Sequence, residues 1–271
     1  MPTSDVLVQM SDATLERGSR TLWSNLNIAI KAGEFIAVLG PNGAGKTSLL
    51  KVLLGQLPLT SGEASILGSA PGQANRQVGY VPQQKSFDSI LPVRGRDLVE
   101  LGLNGNNFGF WHNHGAAAKL VDKAIRRVKA VDYANTPIGL LSGGEQQRLR
   151  VAQAIIGQPR LLLCDEPLLS LDLASQNTIT GLLNDYRKDN QAAIIFVTHE
   201  INPVLPFVDK VLYLANGRWV LDTPKRVLQS KTLTTLYDTP IEVLKLHGRL
   251  IVVGADEATV ASPGAHHEGH S

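Results

Sequence analysis

Apolar residues along the chain fall into short unbroken runs, separated by longer stretches with helical spacing. Residues 35–39 (Phe-Ile-Ala-Val-Leu) make a run of strand length, and a glycine-rich turn follows at once. The pattern predicts a helix over 47–54, stopped by Gly55 and Pro58. Further short strands are predicted at 77–82, 161–164, 192–197 and 210–214. The first of these apolar runs, at 35–39, reads as a buried strand. Between 85 and 141 the pattern turns to helices and loops, with Leu120, Ala124, Val128 and Val131 at helical spacing. That stretch reads as an inserted helical unit. A helix is expected after Asp172, and Thr223-Pro224 places a cap residue before a first-turn proline. Residues 241–246 and 249–253 alternate around His247-Gly248 as a small hairpin, and the polar composition after Gly254 predicts a disordered tail. Strands alternating with helices predict an α/β fold with a mainly parallel sheet.

Composition narrows the class. The 271 residues can bury a sizeable core in one large domain, with room for a small appendage. Hydrophobic residues at 43% and charged ones at 18% exclude global disorder. Lys and Arg number 26 against 24 Asp and Glu, so the net +2 gives no argument for nucleic acid. The single cysteine, Cys164, excludes an internal disulfide framework and a Cys-cluster zinc site. The residues after Met1 are polar and resemble no secretory signal. No apolar stretch approaches the roughly 20 residues of a spanning helix. A soluble, cytosolic protein is expected on these grounds.

Three motifs carry chemistry. Gly40, Pro41, Asn42, Gly43, Ala44, Gly45, Lys46 and Thr47 fit G-x-x-x-x-G-K-[ST] between a predicted strand and a predicted helix. Glycines let the backbone N–H groups wrap a phosphate, and the helix start, with Ser48, adds its positive dipole end. Lys46 would neutralise β- and γ-phosphate oxygens, and Thr47 would ligate Mg²⁺. Residues 161–166 (Leu-Leu-Leu-Cys-Asp-Glu) are an apolar strand ending in two carboxylates. Beside the phosphate loop, Asp165 is placed to hold Mg²⁺ and Glu166 to polarise the attacking water as general base. Residues 141–145 (Leu-Ser-Gly-Gly-Glu) precede a helix predicted at 146–156. Ser142 and Glu145 form a capping box, which by itself means only a well-capped helix. Gly143 and Gly144 inside the cap are poor helix formers. They make sense where a bulky anion approaches the backbone, as a second phosphate-binding surface. Two anion sites with one catalytic carboxylate suggest an active site assembled from two subunits.

With these motifs the chain resembles the nucleotide-binding subunit of ABC transporters over residues 5 to 230 or so. The order is the family's: the phosphate loop, Gln83 after Tyr-Val-Pro, the LSGGE segment, Asp165-Glu166, Ser170-Leu-Asp172 and Thr198-His199. The resemblance implies a P-loop NTPase core with a mainly parallel sheet, an antiparallel β subdomain and a helical subdomain at about 85–141. The ATPase domain would span 5–240, followed by the hairpin at 241–254 and the tail at 255–271. It implies a homodimer that sandwiches two ATP molecules with Mg²⁺. Each site would combine one protomer's Lys46, Asp165, Glu166 and His199 with the other's Ser142, Gly143 and Gly144, and Glu145 is a further candidate nucleotide-binding residue. His199 would hold the γ-phosphate and attacking water, and Gln83 would touch Mg²⁺ and sense the membrane partner. Asp172 would lie at the dimer interface or simply cap the following helix. Family members stack an aromatic residue on adenine where this chain has Arg17, whose guanidinium plane can also stack on a base. Trp23 is the alternative stacking residue, or a core residue.

Segment 198–203 (Thr-His-Glu-Ile-Asn-Pro), residues 204–214 and the terminal hairpin resemble the ATPases of zinc and manganese importers. Related ATPases for siderophores share parts of this pattern. His266, His267 and His270 form either a weak zinc site or an ordinary solvated tail. Importing a divalent metal would require integral membrane permease subunits, contacted near Phe87, Ile90 and Leu91, and an extracytoplasmic solute-binding protein. The chain would then work at the cytoplasmic face of the membrane. A soluble ABC ATPase acting on nucleic acid or ribosomes is the competing class. The near-neutral charge and single motif set speak against it, so no nucleic-acid partner is expected.

Overall fold

The computed structural model describes residues 5–83, 92–104 and 114–254. Its central sheet has the order β5-β6-β7-β3-β8-β9. The strands are β3 (Phe35–Leu39), β5 (Val78–Val81), β6 (Leu161–Asp165), β7 (Ala193–Val197), β8 (Lys210–Ala215) and β9 (Arg218–Asp222). Pairing is parallel from β5 to β8, and only the edge strand β9 runs antiparallel. β9 was not among the predicted strands. It turns back on β8 through Asn216-Gly217, both at positive φ.

The unbroken apolar runs have a direct cause in the layering. Phe35, Ala37 and Leu39 of β3 enter one core, while Ile36 and Val38 enter the other. Leu162 and Cys164 of β6 join the first, Leu161 and Leu163 the second. Each central strand is therefore apolar on both faces.

One face is covered by α1 (Lys46–Leu53) and by a three-stranded antiparallel sheet of order β2-β1-β4. Its strands are β1 (Val6–Arg17), β2 (Arg20–Lys31) and β4 (Ser61–Ile66). Trp23 is wholly buried in this layer. The opposite face carries α2 (Gly95–Asn104), α3 (His114–Arg127), α4 (Gly143–Ile155) and α5 (Leu173–Asn190). There Val128, Leu149, Ile179 and Leu183 are all buried. Each such side chain contributes roughly 1.5–3 kcal/mol on leaving water. Two short helices, α6 (Pro224–Val227) and α7 (Ser230–Tyr237), lead into the hairpin of β10 (Ile241–Leu246) and β11 (Arg249–Gly254). Asn202 holds that hairpin by exchanging hydrogen bonds with the Leu250 backbone at 2.8 and 2.9 Å.

As expected, a short helix starts with Thr223 as N-cap and Pro224 in its first turn, although the Thr223 side chain makes no cap bond and its amide donates to Asp222. One local expectation needs correction. The helix expected at 146–156 starts three residues earlier, at Gly143, so both glycines lie in its first turn. Because β3, β6 and β7 are parallel, their carboxyl ends open on one edge, where the loop 40–45, Asp165-Glu166 and Thr198-His199 emerge. Ligands of open parallel sheets bind at such an edge.

Candidate functional site

The phosphate loop leaves β3 at Gly40, whose φ is 143°. A Cβ there would collide with the Leu214 carbonyl of β8, so only glycine lets the chain turn at this point. The loop closes on Gly45, the N-cap residue of α1, which has no side-chain cap. The first-turn amides of α1 are thus left to a ligand. Lys46 folds back over the loop, its Nζ donating to the carbonyls of Gly40 at 2.7 Å and Pro41 at 3.0 Å. The side chain is 6% exposed, and burial pulls its pKa down, opposed by the charges of Glu166 and Asp165.

Asp165 ends β6 almost fully buried. It accepts a hydrogen bond from the Thr47 hydroxyl at 3.1 Å and one from the Tyr80 hydroxyl. Burial raises its pKa, while the bond from Thr47 opposes the shift. The Tyr80 hydroxyl is itself pushed up to about 12, first by burial and then by Asp165.

Glu166 follows at φ 46°, a left-handed conformation that a large side chain rarely adopts. Its amide donates to the Val197 carbonyl of β7 at 3.0 Å, which fixes the turn. The carboxylate accepts from Gln83 Nε2 at 3.2 Å on one oxygen. His199 Nδ1 stands 3.8 Å from the other, beyond hydrogen-bond range. Glu166 thus sits between Gln83 and His199, and strain of this kind concentrates at functional sites.

A cleft of about 450 Å³ opens here, lined by Arg17, Arg20, Leu22, Asn42, Gly43, Gly45, Lys46, Thr47, Ser48 and Glu166. A smaller one beside it, of about 140 Å³, is lined in part by Glu166, Ser170, Gln176 and His199. Arg17 therefore lines the cleft beside the loop, whereas Trp23 is core. Arg20 was not singled out from sequence, since a lone arginine beside a turn carries no motif.

Ser142, Gly143, Gly144 and Glu145 line neither cleft. They form the start of α4, with both halves of the capping box made: Glu145 N donates to Ser142 Oγ at 3.4 Å, and Ser142 N to Glu145 Oε2 at 2.8 Å. Gly144 abuts the start of α5, where a Cβ would lie 2.5 Å from Ser175 Oγ. Asp172 caps that same helix, accepting from Ser175 N at 2.9 Å and Ser175 Oγ at 2.7 Å, bonds that lower its pKa.

The family model described as "ABC transporter" matches residues 23–169, which span the phosphate loop, the Ser142 helix start and Asp165-Glu166. The chain belongs to the ABC transporter family. It is the ATP-hydrolysing subunit of a transporter.

Among relatives of this ABC ATPase, zinc import ATP-binding protein ZnuC 1 of Hahella chejuensis is 32% identical over 233 residues. That alignment covers 86% of this chain and 84% of the relative. YvrA of Bacillus subtilis, an ABC transporter ATP-binding protein, is 30% identical over 234 residues. Its alignment covers 84% of this chain but 52% of YvrA, so the chain spans about half that relative's length. Two solved structures share the fold of this ABC ATPase at 26% identity. One is a metal-chelate type ABC transporter in an inward-facing conformation, with a TM-score of 0.77 over 91% of this chain and 96% of that one. The other is a dimeric ATP-binding cassette in a post-hydrolysis state bound to ADP and Pi, with a TM-score of 0.68 over 80% and 98%. No helix among the described residues of the ABC ATPase is long and apolar enough to cross a membrane. Phe87, Ile90, Leu91 and the tail histidines His266, His267 and His270 lie outside the described residues.

Proposed function

We propose that two copies of this chain bind two ATP molecules head to tail and drive import of a divalent metal ion, zinc or manganese, through membrane permease subunits. Residues 40–48 cradle the triphosphate and Arg17 stacks on the base. The Ser142, Gly143, Gly144 and Glu145 segment of the second copy closes the site from the other side. The observation that carries this reading is the incomplete cleft: one chain lines it with the loop, Lys46 and Glu166, but not with the Ser142 helix start. The dimeric cassette with ADP and Pi supports the same arrangement.

Hydrolysis then needs one proton transfer and one bond exchange. Glu166 accepts a proton from water as the water oxygen bonds to the γ-phosphorus, and the bond to the ADP oxygen breaks. Gln83 and His199 hold Glu166 and the water in line, and Asp172 sits where the two copies meet. The Thr47 hydroxyl, the Asp165 carboxylate and the Gln83 amide oxygen are hard donors suited to Mg²⁺, and burial of Asp165 favours a cation beside it. When bound, Mg²⁺ neutralises charge developing on the phosphate oxygens.

The metal cargo rests on the zinc importers among the relatives. The likeness to a metal-chelate transporter supports a second cargo, a chelated metal such as a siderophore complex. The chain acts as a peripheral subunit on the cytoplasmic face of the membrane, with an extracytoplasmic binding protein delivering the solute. Uptake of radiolabelled zinc, manganese and a ferric siderophore by a deletion strain separates the cargoes. Loss of zinc or manganese uptake alone supports the first reading, and loss of siderophore uptake alone overturns it.

A further inference from the structure

Arg17 and Arg20 flank the two-residue turn Gly18-Ser19 and pair directly across the β1–β2 ribbon. Opposed residues share a face, and like charges so placed are destabilising. No ion pair among the described residues involves either arginine. The neighbouring carboxylate, Glu16, pairs with Thr21 at the next ladder position, which faces the other way, and accepts a 3.4 Å hydrogen bond from its hydroxyl. Both arginines are exposed, and both line the nucleotide cleft. Arg20 reaches over the loop, with a guanidinium nitrogen 3.2 Å from the point a Cβ on Gly43 would occupy. Among the described lining residues, Arg17, Arg20 and Lys46 face a single carboxylate, Glu166.

We infer that Arg20 is a phosphate-binding residue: its guanidinium grips the nucleotide's phosphates where it reaches over Gly43 of the loop. The bound anion relieves the repulsion between Arg20 and Arg17. The inference rests on the nucleotide-site reading above and adds to it a source of selectivity. The planar fork of arginine suits phosphate oxygens, and it reads charge, not the base. Binding energy placed on Arg20 is therefore shared by any triphosphate, and discrimination between bases falls to Arg17.

The test titrates ATP, GTP and inorganic tripolyphosphate into the full chain and its Arg20→Ala, Arg20→Lys and Lys46→Ala variants, at low and high salt. Arg20→Ala is expected to weaken all three ligands by about the same factor, ~10-fold, with a shallower salt dependence. Arg20→Lys should restore part of the loss. Without nucleotide, Arg20→Ala should melt no lower than the parent, because it removes a like-charge pair. Parent-like ATP affinity in Arg20→Ala, beside weakened binding in Lys46→Ala, would overturn the role of Arg20 and leave the nucleotide site standing. Weakening of ATP but not of tripolyphosphate would also overturn it, by assigning Arg20 to the base. Parent-like binding in both variants would overturn the nucleotide-site reading itself.

Discussion

Gln83 donates a hydrogen bond to Glu166 Oε2 at 3.2 Å, joining the end of β5 to the end of β6 beside the phosphate loop. The bond leaves the other oxygen of Glu166 facing His199. Glu166 is thus held between two polar side chains on a backbone turn at positive φ, the position from which the proposed proton transfer proceeds.

Glu166→Gln should therefore keep ATP binding while slowing hydrolysis by ~10²–10⁴-fold, the usual contribution of a general base. Phosphate release measures the rate. Gel filtration with ATP should show an accumulated dimer. Hydrolysis at the parental rate would remove Glu166 from the role of base.

Lys46→Ala should act on binding itself. Its ammonium is nearly buried against the carbonyls of Gly40 and Pro41, so the substitution removes a phosphate partner and two loop contacts together. Nucleotide affinity should fall at least ~10-fold. The melting transition should report a loss of about 1–3 kcal/mol, because the Gly40 carbonyl loses its donor while that of Pro41 keeps the Ala44 amide at 3.2 Å. An unchanged titration with fluorescent ATP would count against the site.

Ser142→Ala separates capping from catalysis. Loss of the capping box should cost about 1 kcal/mol of stability. If the helix start also closes the partner's site, ATPase activity should fall far more than that cost accounts for. Mixing this variant with Glu166→Gln subunits checks the point. In the mixed dimer one site carries both lesions and the other neither, so activity should return in part. Activity that merely follows thermal stability would reduce Ser142 to a helix cap.

Cys164 lies wholly buried in β6, and burial holds its thiol far above the ordinary range. A thiol reagent should find no reactive group in the folded chain and one after denaturation. Modification at the rate of a free thiol would mean that β6 opens.

Much of this was legible because it is contiguous. The phosphate loop, the strand 161–165 with its carboxylates and the Ser142 capping box each lie within a few successive residues, so the backbone alone brings their groups together. The double face of β3, β6 and β7 was readable for the same reason, as unbroken apolar runs. The antiparallel layer was expected from the family resemblance alone, not from the local pattern. β1 and β2 are each 12 residues long, but their alternation is broken by register shifts and by positive φ at Asp12 and Asn25. A period of two interrupted by bulges looks like loop. Thr223 and Pro224 marked the start of α6 by spacing alone, whereas the absence of a side-chain cap bond depends on where the hydroxyl finds a donor.

What the sequence by itself determined is the chemistry: a loop for phosphate with its lysine, paired carboxylates, and a single copy of each half-site. Those follow from local order, since neighbouring residues cannot avoid one another. Only the tertiary structure decided which distant groups meet. Strand order brings Gln83, Glu166 and His199 to one edge, and layer packing lays the Arg17–Arg20 turn over the loop while leaving the Ser142 helix start outside the clefts. Those meetings depend on which buried faces pack together, and packing is a property of the whole core that no short stretch of sequence contains.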